Sequence, residues 1–400
     1  MAKVIDAPCG KGKTSWAIQF MNESKEKKFI FITPFLDEVD RIKFECADRN
    51  FKAPNCLKGK TKSADLKNLL VRGENIVASH ALFSGLDNET IELIRMGGYT
   101  LILDEVMEVV KQESIKKDDL KIMIDQGLIE VLEDGTVIAP DPDNYNGVFK
   151  EIMMNAKMDR LIYVDGKMLL WQFPVDIFDA FEEVYNLTYL FDGQIQKYYY
   201  DLHDVDYSYH SVTKDADGRY SLVDFDPDGD REFKEILNGL MDIYDGDLNS
   251  IGKDKYALSV SWYGKYGKDN ILKKIQKSMY NYFRNVVDSK SSENMWTCFK
   301  AQEKALKGNG YARGFVPHNA RATNKYRDKS NLVYLVNRFP RTPIVKYFEL
   351  KGIRINENLY ALSELIQWIW RSQIRDGKPI NLWIPSSRMR GLLEGWKARQ

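Results

Sequence analysis

The stretch Asp6–Ser15, "DAPCGKGKTS", constrains the fold of this chain more than any other. It follows the apolar run "AKVID" and leads into "KTSWAIQFMNES", which has the composition of a helix. A strand that ends in a glycine-rich turn and re-enters a helix leaves backbone N–H groups pointing into the turn. Together with the helix start they cradle a phosphate. Gly10 and Gly12 allow that turn, Lys13 can reach β- and γ-phosphates, and the Thr14 hydroxyl suits Mg²⁺. The pattern G-x-x-x-x-G-K-[ST] is met from Gly12 onward, with Ala7 where its first glycine would stand. Ala7, Pro8, Cys9, Gly10, Lys11, Gly12, Lys13, Thr14 and Ser15 are therefore the expected nucleotide-binding segment, with ATP and Mg²⁺ as the expected cofactors.

A turn of this kind belongs on a parallel sheet, and the following residues provide one. "KFIFITP", "NIVASH" and "YTLILDEV" read as strands separated by helical stretches, the pattern of an α/β sheet covered on both faces. The last of them ends in Asp104-Glu105. Carboxylates at the C-terminal end of a buried strand lie beside the phosphate loop in doubly wound sheets. Asp104 is expected to bind Mg²⁺ with Thr14, and Glu105 to orient or deprotonate the attacking water. Residues 109–172 read as an insertion with a helix and a hairpin turning at Glu133-Asp134-Gly135. "VDIFDAFEEVYNLTYLFDG" then resumes the core pattern as a helix and a strand.

Residues 196–254 are expected to form an acidic connector. It comprises an antiparallel ribbon, containing Tyr198–Tyr200 and turning at Asp215–Gly218, and then a helix. From about residue 255 the α/β rhythm returns with "KYALSVSWY", a helix near 269–284, the strand "NLVYLVN", a long helix 358–375, the strand "INLWIP" and a last helix. The expected architecture is thus a two-lobed α/β protein, with lobes at 1–195 and 255–400 around the connector.

Charge is neutral overall but divided. Residues 253–400 carry 29 Lys and Arg against 11 Asp and Glu, a net of +18, while the remainder carries −18, concentrated in 111–252. A basic block of this strength is a nucleic-acid footprint, a partner for the acidic middle across a cleft, or a solvated surface. No run of about 18 apolar residues occurs, so no membrane span is expected. The first strand begins at the second residue, so no signal peptide is expected. The four cysteines and four histidines lack zinc spacing. A cytoplasmic protein is expected, with no membrane partner.

Read as A-x-x-G-x-G-K-T, residues 7–14 resemble motif I of the superfamily 2 helicases, where alanine commonly opens the loop. "LDEV" resembles motif II, with Met107 as its fourth residue. "FITPFLDEVDRI" resembles motif Ia, with Thr33 and Pro34. "VASHALFSGL" resembles the next nucleic-acid-contacting segment, with Ser79 and His80. Thr188 stands where motif III would fall. In the basic half, Gln367 and Arg371 fit motif VI, although Trp370 replaces its glycine and Arg375 comes one residue late. Residues 315–339 suit motif V, with Arg321, Thr323, Asn324, Tyr326 and Arg327 as candidate contacts. "ATNKYRDK", "ALSELIQWIWRSQIR" and "IPSSRMRGLLEGW" look like the helicase-type proteins of tailed bacteriophages.

The resemblance implies two RecA-like lobes with ATP between them, Lys13 and Arg371 neutralising charge on the phosphates. It also implies an ATP-driven DNA helicase acting in phage replication or recombination, in the bacterial host cytoplasm. Its track would be single-stranded DNA, with RNA as the alternative, and other replication proteins would be its partners. A duplex translocase or remodeller and an ATP-gated loading factor remain open as alternatives. The insertion or the tyrosine ribbon would supply a wedge. Only six residues precede the loop, so the upstream adenine-reading segment of DEAD-box RNA helicases is not expected.

A separate pattern, Asp224, Asp226, Asp228, Gly229 and Glu235, fits the spacing of an EF-hand calcium loop. Pro227 and a preceding strand favour a hairpin end with an aspartate capping the following helix.

Overall fold

A computed structural model describes residues 1–56, 61–267, 270–319 and 325–398. The first lobe begins with β1 (Ala2–Asp6), β2 (Lys28–Thr33), β3 (Ile76–Ser79) and β4 (Tyr99–Asp104), short apolar runs with almost every residue buried. Burial on both faces is what parallel strands sandwiched between helices require.

The insertion follows as β5 (Val110–Gln112), β6 (Glu130–Val131), β7 (Val137–Ile138), β8 (Leu161–Val164) and β9 (Met168–Gln172), with helices Lys117–Asp125 and Lys150–Lys157. β6 and β7 pair as a hairpin, and β5, β9 and β8 form a small antiparallel sheet. The hairpin turns where expected, Gly135 taking the φ of +90° that glycine adopts without steric cost.

The chain then returns to the main sheet through β10 (Glu183–Thr188), β11 (Tyr207–Lys214) and β12 (Tyr220–Asp224). The order is β12-β11-β1-β10-β4-β2-β3, parallel except for the β11–β12 hairpin. Two expectations change here. The ribbon is not part of a separate connector: β11 hydrogen-bonds to β1 in parallel, so β11 and β12 extend the first sheet. Tyr198–Tyr200 lie not in that ribbon but in the helix Ile195–Leu202, all three buried. Tyr200 packs on Phe178 and Phe191 and Tyr198 on Phe348, while the Tyr199 hydroxyl donates to the Phe173 carbonyl; all three are core and supply no wedge.

The second lobe is a four-stranded parallel sheet in the order β13-β16-β15-β14, from β13 (Met241–Ile243), β14 (Asn294–Thr297), β15 (Asn331–Tyr334) and β16 (Ile380–Trp383). "KYALSVSWY" becomes a turn and the helix Val260–Tyr266, while "NMWT", unremarked in the sequence, is the edge strand β14. The long helix ends earlier than expected, at Ile369 (Glu357–Ile369). Ser372 stops it, its hydroxyl donating to the Ile369 carbonyl (2.8 Å) and capping the next short turn, Gln373–Asp376. This helix is buried almost all round, so it has no solvated basic face.

The lobes are interlocked. The helix Thr342–Leu350, which the chain makes between β15 and β16, leaves the second lobe to pack on β5, β8 and β9 of the insertion. Its Ile344, Tyr347 and Phe348 belong to the hydrophobic core of the first lobe.

Candidate nucleotide site

The parallel register brings the expected chemistry to one edge. Asp6 stands beside Thr188 and Leu187 beside Asp104, so the ends of β1, β10 and β4 form a contiguous shelf under the glycine turn. Gly10 (φ +85°) and Gly12 (φ +96°) take left-handed backbone, and the helix Lys13–Glu23 starts immediately after. This is the strand–turn–helix geometry that a phosphate loop needs. Lys13 Nζ donates to the carbonyls of Ala7 (2.5 Å) and Pro8 (3.1 Å), folding across the turn. Ser15 lies in the first helical turn. Lys11 extends to Glu232 at 3.6 Å, across to the segment that leads into the second lobe.

Asp104 is the centre of the polar shelf. Its Oδ1 accepts from Thr14 Oγ1 (3.2 Å) and its Oδ2 from Thr33 Oγ1 (3.4 Å). Burial pushes its carboxyl up to about 7, aided by the like charges of Glu105 and Glu38. Glu105 occupies left-handed backbone (φ +75°), strained for a non-glycine residue, with its N–H held by the Leu187 carbonyl at 2.9 Å. One of its carboxylate oxygens, Oε2, is buried without a hydrogen-bond partner among the described residues. Strain and an orphaned carboxylate oxygen are kept where a fold over-determines them, and such spots concentrate at working sites. Thr14, Asp104 and Glu105 thus provide hard oxygen donors of the kind Mg²⁺ takes. The Thr188 hydroxyl is also buried and unpartnered among the described residues.

The second lobe closes over this edge. Arg371 is buried, and the charges of Arg371 and Arg375 reach the Cys9 thiol together with those of Lys13 and Glu105; burial raises that thiol above its ordinary range. Because the helix stops at Ile369, the two arginines do not continue one helical face from Gln367, yet both stand near the loop. Gln367 itself is buried within the helix.

The remaining expected contacts fall elsewhere. Thr33 is fully buried and supports Asp104, so it offers no surface to nucleic acid, and Pro34 follows it at the strand end. Ser79 caps the helix His80–Phe83 by accepting from the Leu82 N–H, and His80 opens that helix. Arg327 is paired with Asp376 through both carboxylate oxygens. Arg321, Thr323 and Asn324 lie outside the described residues. Asp226 accepts from the Asp228 N–H in a local turn, and Asp230 pairs with Lys234 and Tyr189. No group of three or more His, Cys, Asp or Glu side chains converges as a metal site among the described residues.

Four residues that the sequence left without a role also shape the site. Asp6 accepts the N–H groups of Leu190 (2.8 Å) and Phe191 (2.9 Å), clamping the turn after β10; burial pushes its carboxyl up to about 6. Its place immediately before the loop was the available signal. The Trp370 indole lies against Gly10 and the Tyr220 ring against Gly12, so close that an added β-carbon would stand 2.5 Å and 2.2 Å from them. Tyr220 is fixed by Gln19, whose side-chain amide bonds both its N–H (2.8 Å) and its carbonyl (3.1 Å). That pairing spans 201 residues and leaves no local pattern.

Comparison with known proteins agrees with this architecture. The fold resembles the two-lobed architecture of XPD: an apo XPD structure superposes with a TM-score of 0.50 at 12% identity, over 98% of this chain and 95% of that one. Xpd4 of S. tokodaii is also similar, with a TM-score of 0.45 at 10% identity, over 99% and 94%. The chain belongs to the YonV family. The model of the YonV middle domain matches residues 110–171, and that of the YonV C-terminal Rossmann-like domain residues 235–397. The SPbeta prophage-derived protein YonV of Bacillus subtilis (strain 168) is 47% identical over 409 residues, covering 100% of this chain and 99% of that protein. No helix among the described residues is long and apolar enough to cross a membrane.

Proposed function

We propose that this protein is an ATP-driven motor on nucleic acid, a helicase-type ATPase encoded by a bacteriophage or prophage and working in the host cytoplasm. One observation carries the reading: a glycine-turned loop whose Thr14 hydroxyl meets Asp104 at 3.2 Å, beside a strained Glu105 with a buried unpartnered oxygen. The XPD-like fold and the prophage origin of a 47% identical relative support it.

ATP is the substrate. Backbone N–H groups of Gly10–Thr14 hold its phosphates, and Lys13 exchanges its loop carbonyls for phosphate oxygens. Thr14 and Asp104 would hold Mg²⁺, which supplies charge neutralisation on the phosphates. Glu105 positions and deprotonates the attacking water, and Arg371 stabilises the charge that develops on the transferred phosphoryl group. Opening and closing of the lobes then moves the basic second lobe along a nucleic-acid strand through phosphate contacts. Single-stranded DNA is the proposed track.

Steady-state ATP hydrolysis tests this, measured alone and then with single-stranded DNA, duplex DNA and single-stranded RNA at two salt concentrations. Stimulation by one of them, weakened by salt, is expected. Hydrolysis indifferent to all would retain the ATP site but replace the motor with an ATP-gated switch or loader.

A further inference from the structure

The basic second lobe carries aromatic residues that the nucleotide site does not use. A cleft of about 840 Å³ is lined by Tyr256, Trp262, Tyr266, Lys265 and Lys274. A second cleft of about 870 Å³ shares Tyr256 and continues past Phe339 to Arg354. Among the residues lining the second cleft, Phe339 follows β15 in the chain, and Ser387 and Arg388 follow β16.

The rings are presented, not buried. Tyr256 is 53% exposed and Tyr266 37% exposed. Tyr256 leans on Phe339 with centroids 5.9 Å apart, and Trp262 on Tyr266 at 5.6 Å. Lysines interleave with them: Lys265 Nζ is 4.9 Å from the Tyr266 ring centre and Lys255 Nζ 5.4 Å from that of Tyr256. The platform is anchored from beneath, because Tyr263, on the same helix, donates to the Leu335 carbonyl at 3.0 Å and Ser259 caps the helix. Flat rings alternating with cations match a ligand that alternates flat bases with phosphates. The net charge of +18 over residues 253–400 complements such a ligand.

We propose that these joined clefts seat a segment of single-stranded nucleic acid, with unpaired bases stacked on Tyr256 and Tyr266 and phosphates along Lys265, Lys274 and Arg354. This rests on the nucleic-acid reading above and gives that reading a location. Stacking is tolerant of base identity, so the seat favours single strands over duplex and discriminates little among sequences.

The test is fluorescence anisotropy of labelled oligothymidylate, oligouridylate and a DNA duplex on the full-length chain and four variants. Tyr256→Ala and Tyr266→Ala should each weaken single-strand binding at least about fivefold, the low end of base–aromatic stacking. Tyr266→Phe should retain affinity, because the ring and not the hydroxyl does the stacking. Lys265→Glu should flatten the salt dependence, and ATP hydrolysis without nucleic acid should be unchanged in all of them. Variants that bind within about twofold of the parent, while the parent binds tightly, would overturn the seat and leave the motor intact. A parent that binds no nucleic acid, with hydrolysis indifferent to it, would overturn both. Binding of labelled polyglutamate, weakened in Lys265→Glu, by a parent that binds none of the oligonucleotides would reassign the clefts to an acidic protein partner.

Discussion

Replacing Glu105 by Gln should make the protein more stable and nearly inactive. Glu105 sits in left-handed backbone with one carboxylate oxygen buried and unpartnered, and its charge stands beside the buried Asp104. Leaving a charged oxygen unpaired costs more than leaving an amide so placed, a difference of about 1–2 kcal/mol. For a lobe of this size that corresponds to a rise of roughly 3–6 °C in the first thermal transition. The pH dependence gives an internal check. Asp104 holds its proton up to about 7 in the folded chain but releases it near 3.8 when unfolded. The native state therefore binds the extra proton across that window, and metal-free stability falls as pH rises through 7. Removing the Glu105 charge lowers the Asp104 carboxyl toward its ordinary value and flattens that fall. Hydrolysis should drop about 100- to 10,000-fold, the usual contribution of a positioned base, with nucleotide binding kept. Scanning calorimetry without metal at pH 5 and 8, with single-turnover hydrolysis, measures all of this. A variant that melts lower than the parent, or hydrolyses ATP at the parental rate, would refute the assignment of Glu105.

Other perturbations separate the parts of the site. Lys13→Ala should abolish hydrolysis, and ordinary turnover would remove Lys13 from the phosphates. Arg371→Ala should lose turnover while still binding a fluorescent nucleotide analogue, and loss of binding instead would make it a structural residue. Gly12→Ala should cost about 2–5 kcal/mol, from left-handed strain plus collision with Tyr220. In urea melts Tyr220→Ala should recover the steric part only, so a cycle showing no coupling would mean that the ring does not press on the loop. Phe348→Ala should cost about 3–5 kcal/mol as a large-to-small change in a full core, and should loosen the insertion to protease before the second lobe.

Much of the first lobe was legible because its signals are local. "DAPCGKGKTS" and "YTLILDEV" each compress a strand, its end and a functional residue into one stretch, and the structure joins them through the 3.2 Å contact of Thr14 with Asp104. Where the signal was non-local, the reading slipped. Tyr198–Tyr200 have strand propensity, yet their burial against Phe178, Phe191 and Phe348 selects a helix. Arg371 was singled out by its resemblance to motif VI, but the turn at Ser372 that ends the helix depends on one hydroxyl and cannot be told from helix by apolar period. Thr33 looked like a surface contact because threonine at a strand end is ambiguous; only the neighbouring Asp104 turns it inward. Trp370 appeared as a departure from a motif, and its contact with Gly10 gives the substitution a role in shaping the loop.

The helix Thr342–Leu350 changes what counts as a moving part. Covalently it belongs between β15 and β16, but Phe348 is seated in the core of the first lobe. Residues 335–341 and 351–356 carry the chain to and from it, and both connections are held: Asn337 donates to the Lys255 and Ala257 carbonyls, and the Asn356 N–H to the Tyr198 hydroxyl. This clasp means that neither half of the chain can be cut out cleanly: a first lobe expressed alone would present an empty socket where that helix belongs.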